Sequence, residues 1–194
     1  MPRNLYIADL HFGDEEIIKK DGRPFASLYE MEDALISNWN KAVTSEDTVY
    51  IVGDFSHDSE AEWKRLLFRL AGNKVLIRGN HDPEEYSKSL RSMLDEITDY
   101  KEIVDKGRRV ILSHYPMMFY KSATRDPDTY MLCGHVHVTA ENGLLVRWRD
   151  ELRNPNRGAD ASYGNIINVG CMLPYMDYTP RTLDDLINPD CTCC

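Results

Sequence analysis

The sequence lacks an excess of basic residues, a long apolar run and a paired cysteine framework, and each absence excludes something. Its 194 residues carry 23 Lys and Arg against 32 Asp and Glu, a formal net charge of −9. Nucleic-acid binders draw most of their affinity from neutralising phosphates with a basic stripe, so stable nucleic-acid binding is not expected. The short basic runs at Arg65–Arg69 and Arg108–Arg109 sit among acidic or apolar neighbours and read as solvated faces. No apolar stretch nears the length of a membrane span, and no charged-then-apolar leader is visible, so no membrane partner is expected and a cytoplasmic location follows by default. Cys133 and Cys171 fall in apolar, strand-like runs and read as buried thiols. Cys191, Cys193 and Cys194 cluster after Pro189, but a four-ligand site needs a second cluster and there is none. Residues 188–194 are therefore read as a frayed, non-catalytic tail.

Hydrophobic residues make up 42% of the chain and charged residues 28%, the balance of a globular protein with a real core. One domain over residues 1–194 is expected, with 12–26 and 149–163 as candidate lid or loop insertions. Short apolar runs bounded by turn residues predict strands at Asn4–Ala8, Thr48–Val52, Lys74–Ile77, Val110–Leu112, Thr129–Cys133 and Ile166–Val169. Lys106-Gly107 predicts a hairpin turn between Lys101–Asp105 and Arg108–Leu112, and Leu144–Trp148 reads as a further strand. Helical stripes mark Ser27–Val43 and Ser59–Leu70, Pro83 suits the start of a helix running toward Leu94, and Leu183–Ile187 suits a short terminal helix. Strands and helices alternate early and strands dominate later, which predicts an α/β protein with helices covering its sheets.

Histidine placement carries the chemistry. Of six histidines, five follow a predicted strand or a turn at a strand end: His11, His81, His114, His135 and His137. Loops at the carboxyl ends of strands converge on the ligand site in open α/β sheets. Asp9 and His11, like His135 and His137, are two residues apart, so extended backbone would turn each pair to one face. Glycines at 53, 79 and 134 directly precede Asp54, Asn80 and His135, where a tight turn or close approach is useful. Several strand ends delivering His, Asp and Asn to one place make a metal site the natural hypothesis. Singly, each residue has a plainer reading as a cap, turn former or strand-end histidine. His57 lies near Asp54 but outside the pattern and reads as a loop histidine, with substrate contact as the lesser alternative. Trp39 and Trp63 read as core residues, and Arg23, Arg78 and Lys121 as candidates for either phosphate contact or pairing with surface acids.

Taken in order, Asp9-Leu10-His11, Gly53-Asp54, Gly79-Asn80-His81-Asp82, His114 and Gly134-His135-Val136-His137 resemble the calcineurin-like metallophosphoesterase family, over residues 5 to about 137. The segment His11-Phe12-Gly13 to Arg23-Pro24-Phe25 is similar to a small bacterial and phage subgroup, from which Asp14 and Glu16 depart. The resemblance implies a four-layer α/β/β/α sandwich of two mixed sheets flanked by helices. It implies two divalent transition-metal ions bridged by Asp54 and a water or hydroxide, with Asp9, His11 and His137 completing one site and Asn80, His114 and His135 the other. His81 would contact phosphate and donate a proton to the leaving oxygen, with Asp82 supporting it. The mixed N and O ligands suit manganese first, with iron, zinc or nickel as alternatives. The expected function is hydrolysis of a small phosphodiester, with a nucleotide as one candidate. A phosphomonoesterase, a nuclease and a non-catalytic metal-binding scaffold are the alternatives in that order. Oligomeric state is not readable from the sequence.

Overall fold

The computed structural model describes residues 1–154, 156, 158 and 163–188. Two sheets form its centre. The first orders β4 (Glu96–Thr98), β3 (Asn73–Ile77), β2 (Thr48–Ile51), β1 (Asn4–Ile7) and β9 (Arg181–Thr182), all parallel except β9. The second orders β5 (Lys101–Asp105), β6 (Arg108–Leu112), β7 (Thr129–Cys133) and β8 (Ile166–Asn168), with the β5–β6 hairpin antiparallel and the remaining pairs parallel.

Side-chain alternation sets the layers. On β6, Val110 and Leu112 join the large core that includes β1, β2 and β3, whereas Ile111 between them joins a smaller core with Met131, Cys133, Ile166 and Leu145. This is the period-2 alternation of a sheet buried on both faces. Tyr6 crosses from β1 to donate its hydroxyl to Asp105 of β5 at 2.8 Å, in a buried setting.

Helices α2 (Leu28–Ala42) and α3 (Glu60–Arg69) cover the first sheet with Met31, Leu35, Trp39, Trp63 and Leu66, all buried. Ser27 and Ser59 cap them by accepting the N–H of Glu30 and Glu62. Truncating a core residue such as Leu35 to Ala costs about 2–5 kcal/mol in such a setting. Helix α5 (Ala140–Leu152) lies over the second sheet through Leu145, and α6 (Leu183–Ile187) closes the described chain with a capping box between Thr182 and Asp185.

Four expectations need correction. Leu144–Trp148 is not a strand but part of α5. Thr139 caps that helix, and the Gly143 N–H bonds back to the Thr139 carbonyl, so Asn142-Gly143 continues a helix rather than making a turn. The helix also takes in 149–152 of the expected 149–163 loop, of which 155, 157 and 159–162 lie outside the described residues, as do 189–194 with the three tail cysteines. The helix expected from Pro83 to Leu94 shrinks to α4 (Lys88–Arg91), since Ser87 is extended and its side chain caps the helix there by accepting the Leu90 N–H. The segment 12–26 is not all loop, since α1 (Glu16–Asp21) forms within it. The short strands β4 and β9 had no apolar run to announce them.

Candidate metal centre

Five segments meet at the carboxyl ends of β1, β2, β3, β6 and β7. The loop after β1 runs beside the loop after β2, fastened by Asp9 N–H to Gly53 O and His11 N–H to Asp54 O, both 3.0 Å. Sequence spacing predicted extended backbone here, and the structure differs. Asp9, His11, Asp54, His135 and His137 all have positive φ, from 42° to 73°. Left-handed backbone is uncommon for residues other than glycine, and where it persists it clusters at functional sites. It turns these side chains into one pocket that straight strand ends would not fill.

Asp9, His11, Asp54 and His137, all buried, place one ligand atom each within 4.8 Å of one another. On the other side of Asp54, the Asn80 Oδ1 lies 3.1 Å from His114 Nε2 and 2.9 Å from His135 Nδ1. The Asp54 Oδ2 sits between the two groups, 3.5 Å from His11 Nε2 and 3.4 Å from His114 Nε2. Close packing leaves no room for side chains behind it. A Cβ on Gly79 would lie 2.2 Å from Asp54 Oδ1, and one on Gly53 would lie 2.2 Å from His114 Nδ1.

Protonation follows from each ring's outer partner. The Nδ1 of His114 faces the Val52 carbonyl at 3.0 Å and so carries a proton, which leaves Nε2 as the nitrogen turned into the pocket. The Nδ1 of His137 faces the Asp21 carboxylate at 2.9 Å, with the same result. The His137 Nε2 lies 3.3 Å from His11 Nε2, whose ring reaches His57 through Nδ1 at 3.1 Å. Ring nitrogens and carboxylate oxygens therefore converge on one space. The Asp9 Oδ2 is buried with no hydrogen-bond partner. A buried orphan carboxylate oxygen is costly, and carboxylate oxygens converging with imidazole nitrogens are the donor set a divalent cation satisfies. The residues fit a metal.

The electrostatics carry the same mark. Burial raises the Asp9 pKa against the pull of His137 and His114, and burial lowers His11 to about 3. Asp54 is also penalised by burial, but the His114 contact and the His81 N–H outweigh that and hold it below the usual carboxylate range. For His114, burial acts downward but Asp54 and Asp9 overcome it, raising the ring to about 9. Burial lowers His81 and His135.

These features agree with the comparisons. The model of the calcineurin-like phosphoesterase family matches residues 3–145. The chain belongs to the calcineurin-like phosphoesterase family. An uncharacterized protein of Methanocaldococcus jannaschii is 36% identical over 139 residues, covering 70% of each chain. The gene 66 protein of Mycobacterium phage L5 is 26% identical over 164 residues, covering 71% of this chain and 78% of its own. A protein of unknown function from Aquifex aeolicus superposes with a TM-score of 0.68 at 28% identity, covering 97% of this chain and 99% of that one. Family and buried cluster together make the protein a metal-dependent phosphoesterase, with the two mixed sheets flanked by helices that the family resemblance implied. No helix among the described residues is long and apolar enough to cross a membrane.

The remaining expected site residues fall at the edge. His81 is exposed, with its backbone N–H donating to Asp54 Oδ1 at 2.9 Å. Asp82 does not take the expected place beside the His81 ring. Its buried carboxylate accepts the N–H groups of Asp54, Phe55 and Gly79 at 2.8–2.9 Å, so it fastens the β3 loop to the β2 loop. Burial lifts its pKa to about 6, with those three donors pulling the other way. Arg23, Arg78 and Lys121 pair with Asp21, Asp99 and Glu102.

Sequence reasoning missed two neighbours. His57 is stacked on His81 and, with His11 and Asp14, forms a second compact group. Asp21 reaches His137 from α1, and nothing in its local sequence marks it. The only available signal for His57 was its position three residues after Asp54.

Proposed function

We propose that this phosphoesterase hydrolyses a phosphodiester of a small, nucleotide-sized substrate with two divalent ions, manganese foremost. The observation that carries the reading is the Asp54 Oδ2, 3.5 Å from His11 Nε2 and 3.4 Å from His114 Nε2, a carboxylate oxygen shared between two donor groups. Asp9, His11 and His137 would hold one ion, Asn80, His114 and His135 the other, and Asp54 both. Ions held there would polarise the phosphoryl group and acidify a water for attack on phosphorus.

The protein's own residues supply the rest. The converging backbone turns fix the ligands before substrate arrives, so little reorganisation is left for the reaction. His81, exposed at the rim, would give a proton to the departing oxygen, and a bound phosphate would favour its charged form. Asp82 keeps the two loops that carry Asp54 and His81 in register.

A groove of about 720 Å³ that opens from Asn80 and His114 supports a small substrate. Tyr115, half exposed, stands at its inner wall with its ring 4.6 Å from that of His135. Glu84 and Glu85 line it, and Arg78 is already held by Asp99 through two contacts of 2.7 Å. Such walls offer a polyanion no track of positive charge. Buried thiols at Cys133 and Cys171 suit a reducing compartment, and we read the protein as cytoplasmic.

The test is purified protein with added manganese assayed on bis-p-nitrophenyl phosphate, monoesters, cyclic nucleotides and single-stranded DNA. Cleavage of bis-p-nitrophenyl phosphate and of a cyclic nucleotide is the expected result, with the cyclic-nucleotide reaction, whose alkoxide needs a proton, the one lost in His81→Ala. A preference for monoesters or for DNA would reassign the substrate. Folded, metal-loaded wild type no more active than His81→Ala on any ester would leave a non-catalytic scaffold.

A further inference from the structure

We infer that Asp21 is a positioning residue of the metal centre, and that the 12–26 segment is a built-in part of that centre rather than a lid over it. This rests on reading the cluster as a divalent-metal site. The Asp21 carboxylate receives the His137 Nδ1–H with both oxygens, at 2.9 and 3.0 Å. A ring held this way keeps its proton on Nδ1 and directs the Nε2 lone pair inward, toward His11 Nε2 at 3.3 Å and Asp9 Oδ1 at 3.9 Å. The same carboxylate accepts Arg23 Nη2 at 3.0 Å and Nε at 3.1 Å.

Arg23 then ties the arrangement to the other two members of the same ligand group, Asp9 and His11. Its Nη2 donates to the Asp9 carbonyl at 2.8 Å and its Nη1 to the Leu10 carbonyl at 3.0 Å. The side chains of Asp21 and Arg23 are 2% and 0% exposed. One buried ion pair therefore holds the ring of His137 and the backbone between Asp9 and His11 at once. Lifting the segment would leave the His137 Nδ1–H and the Asp9 and Leu10 carbonyls without their partners in a buried place, which is costlier than an ordinary loop opening. A lid swings on a solvated contact, and this contact is dry. None of the metal-binding segments recognised in the sequence contains either residue.

The experiment combines metal binding with ring chemistry, neither of which depends on turnover. Manganese titration of the metal-free protein by calorimetry is compared between wild type and Asp21→Asn, which keeps the shape and removes the charge. One of the two binding events should weaken by about 10- to 100-fold while the other is unchanged. Long-range proton–nitrogen NMR of metal-free wild type, with the His137 signals identified by their loss in His137→Asn, should show the proton on Nδ1. Wild-type manganese affinities in folded Asp21→Asn, or a His137 proton on Nε2, would overturn the inference. Wild type that takes up no manganese would instead overturn the metal reading, and the NMR result then decides by itself whether Asp21 orients the ring.

Discussion

The imidazole of His57 lies stacked on that of His81, ring centroids 4.5 Å apart and planes inclined by 27°. The Nε2 of His57 is simultaneously 3.1 Å from His11 Nδ1, so the stack is anchored on a proposed metal ligand. A free His81 ring at an exposed rim would sample several rotamers, and the stack restricts them.

If His81 donates the proton, its loss matters in proportion to how badly the leaving group needs one. His81→Ala should lower kcat by about 10²–10⁴-fold on alkyl diesters and far less on p-nitrophenyl esters, whose phenolate leaves unaided. His57→Ala should follow the same leaving-group trend with a smaller loss, up to about 10²-fold, because only placement is disturbed. Steady-state rates across a series of leaving groups check this. Equal losses on good and poor leaving groups would remove His81 from proton transfer.

Asp82 is expected to act on stability more than on the proton. Replacing it with Ala leaves the N–H groups of Asp54, Phe55 and Gly79 without their acceptor. Buried unsatisfied donors of this kind should cost on the order of 3 kcal/mol in urea unfolding of the metal-free protein. Asp82→Asn, which keeps one acceptor oxygen, should fall between. An Asp82→Ala protein as stable as wild type but catalytically dead would return Asp82 to the role beside His81 that the family resemblance implied.

This contrast shows what a sequence can and cannot carry. Asp9, His11, Asp54, Asn80, His114, His135 and His137 were legible because each sits in a short segment at a strand end, where topology alone brings them together. Their backbone was not: positive φ at five of these positions is a property of the loops packing on one another, as in His11 N–H on Asp54 O. Asp21 was invisible as a site residue, and His57 was read first as a loop histidine, because their partners lie 116 and 46 residues away in the chain. The strand expected at Leu144–Trp148 failed because a run of apolar residues fits either element, and the Thr139 cap decides for helix.

Away from the centre, Asp47 gives a pH prediction. It is buried and accepts Arg3 Nη2 at 2.7 Å, the Arg3 backbone N–H at 2.8 Å and the Thr44 N–H at 2.9 Å. The Arg3 bond outweighs burial and holds its carboxyl well below the usual range. A depressed carboxylate adds stability that is fully present above the unfolded value of about 4 and is lost as pH falls below it. Asp47→Asn should cost about 2 kcal/mol at pH 7 and flatten the acid limb of stability against pH. The difference between the two proteins, measured by urea unfolding from pH 7 to pH 3, isolates Asp47. A difference independent of pH would show that shape and not charge is what counts.

The groove walls make a prediction about charge. Glu84 and Glu85 line the space beyond Asn80 and His114. Reversing both to Lys should raise kcat/KM on short single-stranded DNA by about 10-fold or more at low salt, with the gain fading as ionic strength rises. Activity on bis-p-nitrophenyl phosphate should barely change, since the ligand residues are untouched. No gain on DNA at any salt would mean that shape, not charge, limits the substrate.

Metal should act on the fold in a way that crosses over with the ligand variants. In the metal-free protein Asp9 carries a buried oxygen with no donor, beside Asp54, whose charge acts against its own ionisation. Removing a charge there relieves an unfavourable burial, so metal-free Asp9→Asn should be at least as stable as metal-free wild type. Loading the wild type at about 100 times its Kd should add about 2.7 kcal/mol, because only the folded chain assembles the ligands. For a protein of this size that is a Tm rise of roughly 5–10 °C. Asp9→Asn should show little of that rise and little activity, and a chelator should return wild type to its metal-free Tm while abolishing turnover. The order of the two proteins thus reverses between metal-free and metal-loaded melts. A variant less stable than wild type without metal, yet raised as far by it, would mean that Asp9 serves the fold and not the ion.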